Sequence, residues 1–154
     1  MNPANAHLTV ATVIEHEGRF LMVREMDQGL EVINQPAGHW EPGESLPQAA
    51  IRETLEETAW HIELTGLIGV FLSSNPHGDH YCRIAFAAKA LSHDGELALD
   101  EDILAAQWMS LDELQAQRDK MRSKVVLQTL QAWLDGQHFD LSAVSSIPMV
   151  HSKP

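Results

Sequence analysis

Glu53, Glu56 and Glu57 stand at i, i+3 and i+4, and Arg52 directly precedes them. On a helix these offsets project within an arc of about 100°, one above another, so the three carboxylates share a face. Like charges at that spacing repel by about a few tenths of a kcal/mol each. Arg52 lies one turn before Glu56 and can hold it, but one guanidinium does not neutralise three carboxylates. A hard divalent cation does. Mg²⁺ favours octahedral oxygen coordination, drawn from a few carboxylates, water and substrate phosphates. A Glu-rich helical face is more often simply solvated. Two features here argue for more: a Pro42-Gly43 loop leads into the helix, and Glu44 adds a fourth carboxylate at its start.

The elements that must position these groups are legible around them. Ser45 is a natural N-cap, with Gln48 completing an S-x-x-Q capping box, and Pro47 is tolerated in a first turn. Leu46, Ala49 and Ala50 share one side and can pack closely on a sheet. Upstream, residues 7–14 are apolar and β-branched, 15–18 make a turn and 19–25 return, which predicts a hairpin. A short third strand is expected at 32–33, followed by a loop at Pro36-Ala37-Gly38. Downstream, apolar runs at 62–75 and 81–90 flank a turn-forming stretch, 73–79. A short strand near 105–109 precedes a helix capped by Ser110 and Glu113. A last helix is expected over about 122–135, with Val126, Leu130, Trp133 and Leu134 on one face and Gly136 as its stop. Five or six strands with three helices describe an α/β domain with a mixed sheet.

The 154 residues fit one domain over 1–154, with a core at about 7–135 and an irregular tail at 136–154. With 44% hydrophobic and 21% charged residues, the chain can fold without disulfides or a metal staple. Ten basic against 22 acidic residues leave a net charge of −12, which gives no general attraction for nucleic acid or an anionic membrane. An anionic ligand therefore needs imported positive charge. The lone Cys82 suits a reducing compartment. No signal peptide and no apolar run of about 20 residues is apparent, so a cytoplasmic location is expected.

Gly38, five residues, Glu44, seven residues, then Arg52-Glu53-x-x-Glu56-Glu57 resembles the Nudix box. With the flanking Gln35-Pro36-Ala37-Gly38-His39, the layout is similar to the small bacterial phosphatases of that family. The resemblance is strong over 35–60 and looser over roughly 7–134. It implies an α/β/α sandwich with a mixed sheet, in which a loop–helix–loop presents a metal site. By the family's pattern Glu53, Glu56 and Glu57 would ligate Mg²⁺ or Mn²⁺, with the Gly38 carbonyl as a further ligand. Arg52 would orient a carboxylate through a salt bridge, and Glu44 would support the box. The sequence departs from the pattern at Thr54 and Trp60, where aliphatic residues are usual, and at Ala59, where glycine is. Thr54 would set a hydroxyl against the sheet, free to bond a preceding-turn carbonyl. Ala59 is unfavourable if the chain needs a positive φ there, and Trp60 must find space at the helix end.

The implied reaction is hydrolysis of a phosphoanhydride in a nucleoside di- or triphosphate or a small pyrophosphate ester, thiamine-pathway pyrophosphates included. Water would attack phosphorus in line. Its general base would be Glu56, Glu57 or a carboxylate outside the box; within Asp100-Glu101-Asp102, Asp102 matches the family's place best. Trp40 and His39, in the loop before the helix, are candidates to meet the substrate, with Trp40 either stacking on a ring or covering the core edge. Arg24 and Arg83, near strand ends, could meet terminal phosphates. His77 and His80 offer too few ligands for zinc. The partner is a small anionic pyrophosphate-containing substrate, and a homodimer is common in the family though no residue here decides it. The alternative is a Nudix-fold sensor that binds nucleotides without cleaving them; such modules usually lose box carboxylates, and here all are kept. An iron-binding four-helix bundle, which also uses E-x-x-E pairs, is contradicted by the strands.

Overall fold

A computed structural model describes residues 5–147. In chain order the strands and α-helices are β1 (Ala6–His16), β2 (Arg19–Asp27), β3 (Leu30–Asn34), β4 (Ala37–His39), α1 (Leu46–Thr58), β5 (Trp60–Ser74), β6 (His80–His93), β7 (Ile103–Ser110), α2 (Leu111–Ala116) and α3 (Lys124–Leu134). The strand order is β3-β2-β1-β6-β5, with β4 added to β1 and β7 to β2. β1 is the link. From Ala6 to Ile14 it runs parallel to β6, while Thr9 to Ala11 also pair with β4. Only its end, Glu15 and His16, pairs with β2. The sheet thus has two halves, β4-β1-β6-β5 and β3-β2-β7, which meet along a seam beside β4.

β1 is buried on both faces, as its continuous apolar run requires. Val10, Ile14, Leu21, Ile84 and Phe86 pack under Ala49 and Ala50 of α1. On the opposite face Val13, Phe20, Met22, Ile68 and Ala85 pack under Val126 and Leu130 of α3. The result is the α/β/α sandwich that the sequence implied. No helix among the described residues is long and apolar enough to cross a membrane.

The capping signatures form as read. Ser45 and Gln48 exchange both bonds of a capping box, as do Ser110 and Glu113. The differences arise where pairing is long-range. Among the described residues seven strands form, not five or six, because Ala37–His39 pairs with β1 where a loop was expected. Pro36, which marks the break, still lends its carbonyl to the Thr12 N–H at 3.0 Å. The tail is not wholly irregular: Phe139 bridges Leu67 at the β5 edge, and Leu141–Ala143 forms a 3₁₀ turn. Ala59 ends α1 at φ 58°, the left-handed region in which glycine is favoured. Trp60 finds its space edge-on to Trp108, with centroids 5.6 Å apart.

Candidate active site

The tilt of α1 is set from beneath. Its two alanines allow close approach to the sheet, and the fully buried Thr54 hydroxyl donates to Ala50 O at 2.8 Å and meets the Thr12 hydroxyl of β1 at 2.9 Å. This fixes which face of α1 carries its glutamates toward β4 and the segment before β7.

Arg52 organises that face. It grips both carboxylate oxygens of Glu44, at 2.9 and 2.7 Å, and its other arm reaches Glu53 at 2.9 Å and Glu56 at 3.1 Å. The same guanidinium donates to His39 O at 3.0 Å, tying β4 to the helix. Arg52 holds the Glu44 carboxyl below its usual range, while the acidic partners raise Arg52 further above its own. Glu53 is raised by burial, against the opposing pull of Arg52. It lies where a Cβ on residue 38 would stand, so only glycine fits at Gly38 without displacing it.

Carboxylate oxygens of Glu53, Glu56 and Asp100 all lie within 4.8 Å of one another. Three carboxylate oxygens and no sulfur or imidazole make a donor set suited to a hard cation such as Mg²⁺ or Mn²⁺. Glu57 sits deeper, 6% exposed, and accepts one bond from the Ala37 N–H at 3.0 Å. Burial, followed by the charges of Glu25, Glu53 and Asp100, pushes its carboxyl up to about 9.

The acidic run supplies Asp100 to this cluster, not Asp102. The Asp100 N–H bonds Glu56 O at 3.0 Å, which draws that residue to the helix. Asp102 is exposed, and its backbone carbonyl is taken by the Met26 N–H at 3.0 Å. Trp40 turns inward: its indole N–H donates to Glu44 O at 2.8 Å and its ring packs against the core, so it covers the core edge. Arg24 faces away from the seam and pairs with Glu31, whereas its strand neighbour Glu25 is 5% exposed. Alternation along β2 separates the two.

His39 and Arg83 lie on one sheet face, since Thr9 opposes both in register. The His39 ring meets His7 edge-on at 5.4 Å, and burial first, then His7 and Arg122, lower its basicity. Arg83 is 6% exposed and donates to Gln35 Oε1 at 2.8 Å and Asn34 Oδ1 at 3.1 Å. Burial brings it down to about 10, still a cation at neutral pH. Sequence reasoning missed Arg122, whose Nη1 is 2.7 Å from Glu25 across 97 residues of chain. No signal local to either residue marks the pair, since β2 also carries Arg19, Arg24 and Asp27. His77 and His80 join no metal-holding group among the described residues; His80 Nδ1 bonds the Ser74 hydroxyl at 2.7 Å.

Comparison with known proteins agrees with this geometry. A family model described as the NUDIX domain matches residues 5–130. The chain is 33% identical over 138 residues to the phosphatase NudJ of Escherichia coli strain K12, covering 90% of each. A NUDIX hydrolase from Nitrosomonas europaea superimposes with a TM-score of 0.91 at 35% identity, covering 93% of this chain and 98% of the other. An ADP-ribose pyrophosphatase from Streptococcus suis, at 16% identity and a TM-score of 0.65 over 88% of this chain and 97% of its own, shares the fold.

Proposed function

The chain belongs to the Nudix hydrolase family, and from that premise we propose a Mg²⁺- or Mn²⁺-dependent hydrolase of nucleoside di- and triphosphates or small pyrophosphate esters, thiamine-pathway pyrophosphates among them. That it is a Nudix phosphohydrolase acting on small phosphate-containing substrates follows from the family. The metal rests chiefly on one observation, the Glu53–Glu56–Asp100 oxygens gathered within 4.8 Å beside the buried Glu57, and the substrate range on the likeness to phosphatase NudJ.

In this reading Glu53, Glu56 and Asp100 hold the cation, with the Gly38 carbonyl as a further oxygen and Glu57 adjoining. A cation held there would neutralise the diphosphate and stabilise charge developing on it. Arg52 keeps the ligand carboxylates oriented while Glu44 anchors Arg52. Glu57 accepts the proton of the attacking water. Its Oε2 is fixed by the Ala37 N–H, and the carboxyl, which burial pushes up to about 9 in the metal-free protein, must first give up its proton, a change that a cation held beside it would favour. The water oxygen bonds to phosphorus, the bridging P–O bond breaks, and the leaving phosphate carries away the electron pair. The −12 charge and the lone Cys82 fit a cytoplasmic enzyme working on small anions.

The test is phosphate and pyrophosphate release over a panel: nucleoside di- and triphosphates, thiamine pyrophosphate, hydroxymethylpyrimidine pyrophosphate, ADP-ribose and dinucleotides, each with and without Mg²⁺ and with Glu57→Gln alongside. Turnover that needs both the cation and Glu57 supports the proposal. Nucleotide binding with no turnover anywhere would move the chain to the non-cleaving sensors.

A further inference from the structure

β5 closes its half of the sheet on the side away from the catalytic seam, and only part of its outer edge is guarded. An unpaired strand edge is a template for another strand, and proteins blunt such edges with bulges, charges or a covering segment. The first part of β5 has all three. Its register with β6 shifts at His61/Ile62, Leu64/Gly66 and Leu67/Gly69, and Glu63 pairs with Lys89 at 3.1 Å. The segment after α3 then lies along it: Leu67 and Phe139 exchange both backbone bonds at 2.8 Å, and Gln137 Nε2 donates to Ile68 O at 2.8 Å. That cover is close, since a Cβ at Gly66 would strike the His138 ring and one at Gly69 the Gln137 amide.

From Val70 to Ser74 the guard stops. These residues pair with Ile84 to His80 in unbroken register, and among the described residues nothing pairs with their outer side. The bare edge is about 17 Å long. Residues 64–78 contain no Asp, Glu, Lys or Arg. Val70 is 59% exposed and Leu72 80%. Both stand on the α1 face of the sheet, opposite Ile84 and Cys82, whereas Phe71 packs on the α3 face.

We infer that the Val70–Ser74 edge is the interface of a homodimer in which the β5 strands of two copies pair antiparallel. Charge selects the occupant. At a net charge of −12 two copies repel wherever their acidic groups face each other, and this uncharged stretch lets them meet without that cost. A partner of opposite charge finds nothing here to pair with. The edge is also self-complementary: a two-fold axis at Phe71 sets Val70 of each copy against Leu72 of the other, on one face. The two β4-β1-β6-β5 halves then run on as one sheet. The catalytic seam lies on the far side of β1 and stays open in both copies. So short an edge makes a small interface, so the dimer forms in about the micromolar range and depends on concentration.

The experiment is sedimentation over a concentration series up to about 100 µM, for wild type, Leu72→Lys, Val70→Lys and the control Leu91→Lys, an exposed leucine at the far end of β6. Hydrogen exchange of the amides of residues 70–74 is followed at both ends of the series. The wild type is expected to reach twice the mass of one chain, with those amides exchanging more slowly in the dimer. Leu72→Lys and Val70→Lys should raise the dissociation constant by about ten-fold or more, and Leu91→Lys should not. Both substituted side chains are exposed, so thermal melting at high dilution should match the wild type; should either variant fail to fold, the exchange of the wild type decides. A wild type that stays monomeric overturns the proposal. So does a dimer that survives both edge substitutions, is lost equally in Leu91→Lys, or forms without protecting those amides.

Discussion

Glu57→Gln should make the metal-free protein more stable at alkaline pH while removing its activity. The Glu57 carboxyl is 6% exposed, has one protein donor in the Ala37 N–H and is pushed up to about 9 by burial and by neighbouring carboxylates. In the unfolded chain it titrates near 4.3. Between those values the folded state binds one proton more than the unfolded state, so stability is full below the unfolded value and is lost as pH rises toward about 9. The limiting slope is about 1.4 kcal/mol per pH unit, and local relaxation reduces it. From about pH 6 to about pH 8 the wild type should lose on the order of 1–2 kcal/mol relative to Glu57→Gln. Glutamine keeps an oxygen for the Ala37 N–H and carries no charge to bury. The assay is urea unfolding of both proteins in EDTA at the two pH values; titrations shared by the two proteins cancel in the difference. Saturating Mg²⁺ should restore the wild type, since a cation that binds only the folded state stabilises it by mass action. Parallel stability curves for the two proteins would refute a buried, proton-retaining Glu57.

Two stability predictions concern the same helix. Ala59→Gly should stabilise by about 1 kcal/mol, raising Tm by roughly 2–4 °C without loss of turnover, because φ 58° strains an alanine; a lower Tm would contradict the strain. Thr54→Val should cost about 1–3 kcal/mol by leaving the buried Thr12 hydroxyl without the partner it now has at 2.9 Å. The Thr12→Val/Thr54→Val double variant should lie closer to wild type in denaturant unfolding, and additive effects would rule out the coupling.

Much of α1 was legible because its signals are local: the Ser45–Gln48 box, the small alanines and the i, i+3, i+4 carboxylates all act within a few residues. What escaped depends on pairing across the chain. β4 has three residues and exists through its ladder with β1. Nothing in Asp100-Glu101-Asp102 says which carboxylate faces the helix; the bond from the Asp100 N–H to Glu56 O decides it. Arg24 and Arg83 look alike as arginines near strand ends, but strand alternation turns one toward Glu31 and the other into the seam. Arg122 joins Glu25 across 97 residues, a contact with no local trace. Trp40, read as either a stacking surface or a cover for the core edge, is held inward by a bond to Glu44 O at 2.8 Å.

The central claim is that the Glu53–Glu56–Asp100 cluster is the cation-holding centre of a phosphoanhydride hydrolase. A Mg²⁺ titration of the turnover rate tests it most directly, comparing wild type with Glu56→Gln, Asp100→Asn and Asp102→Asn. Loss of one carboxylate from the cluster should raise the Mg²⁺ concentration for half-maximal rate by about ten-fold or more, whereas Asp102→Asn should follow the wild type. Wild-type Mg²⁺ dependence in Glu56→Gln and Asp100→Asn would contradict the account.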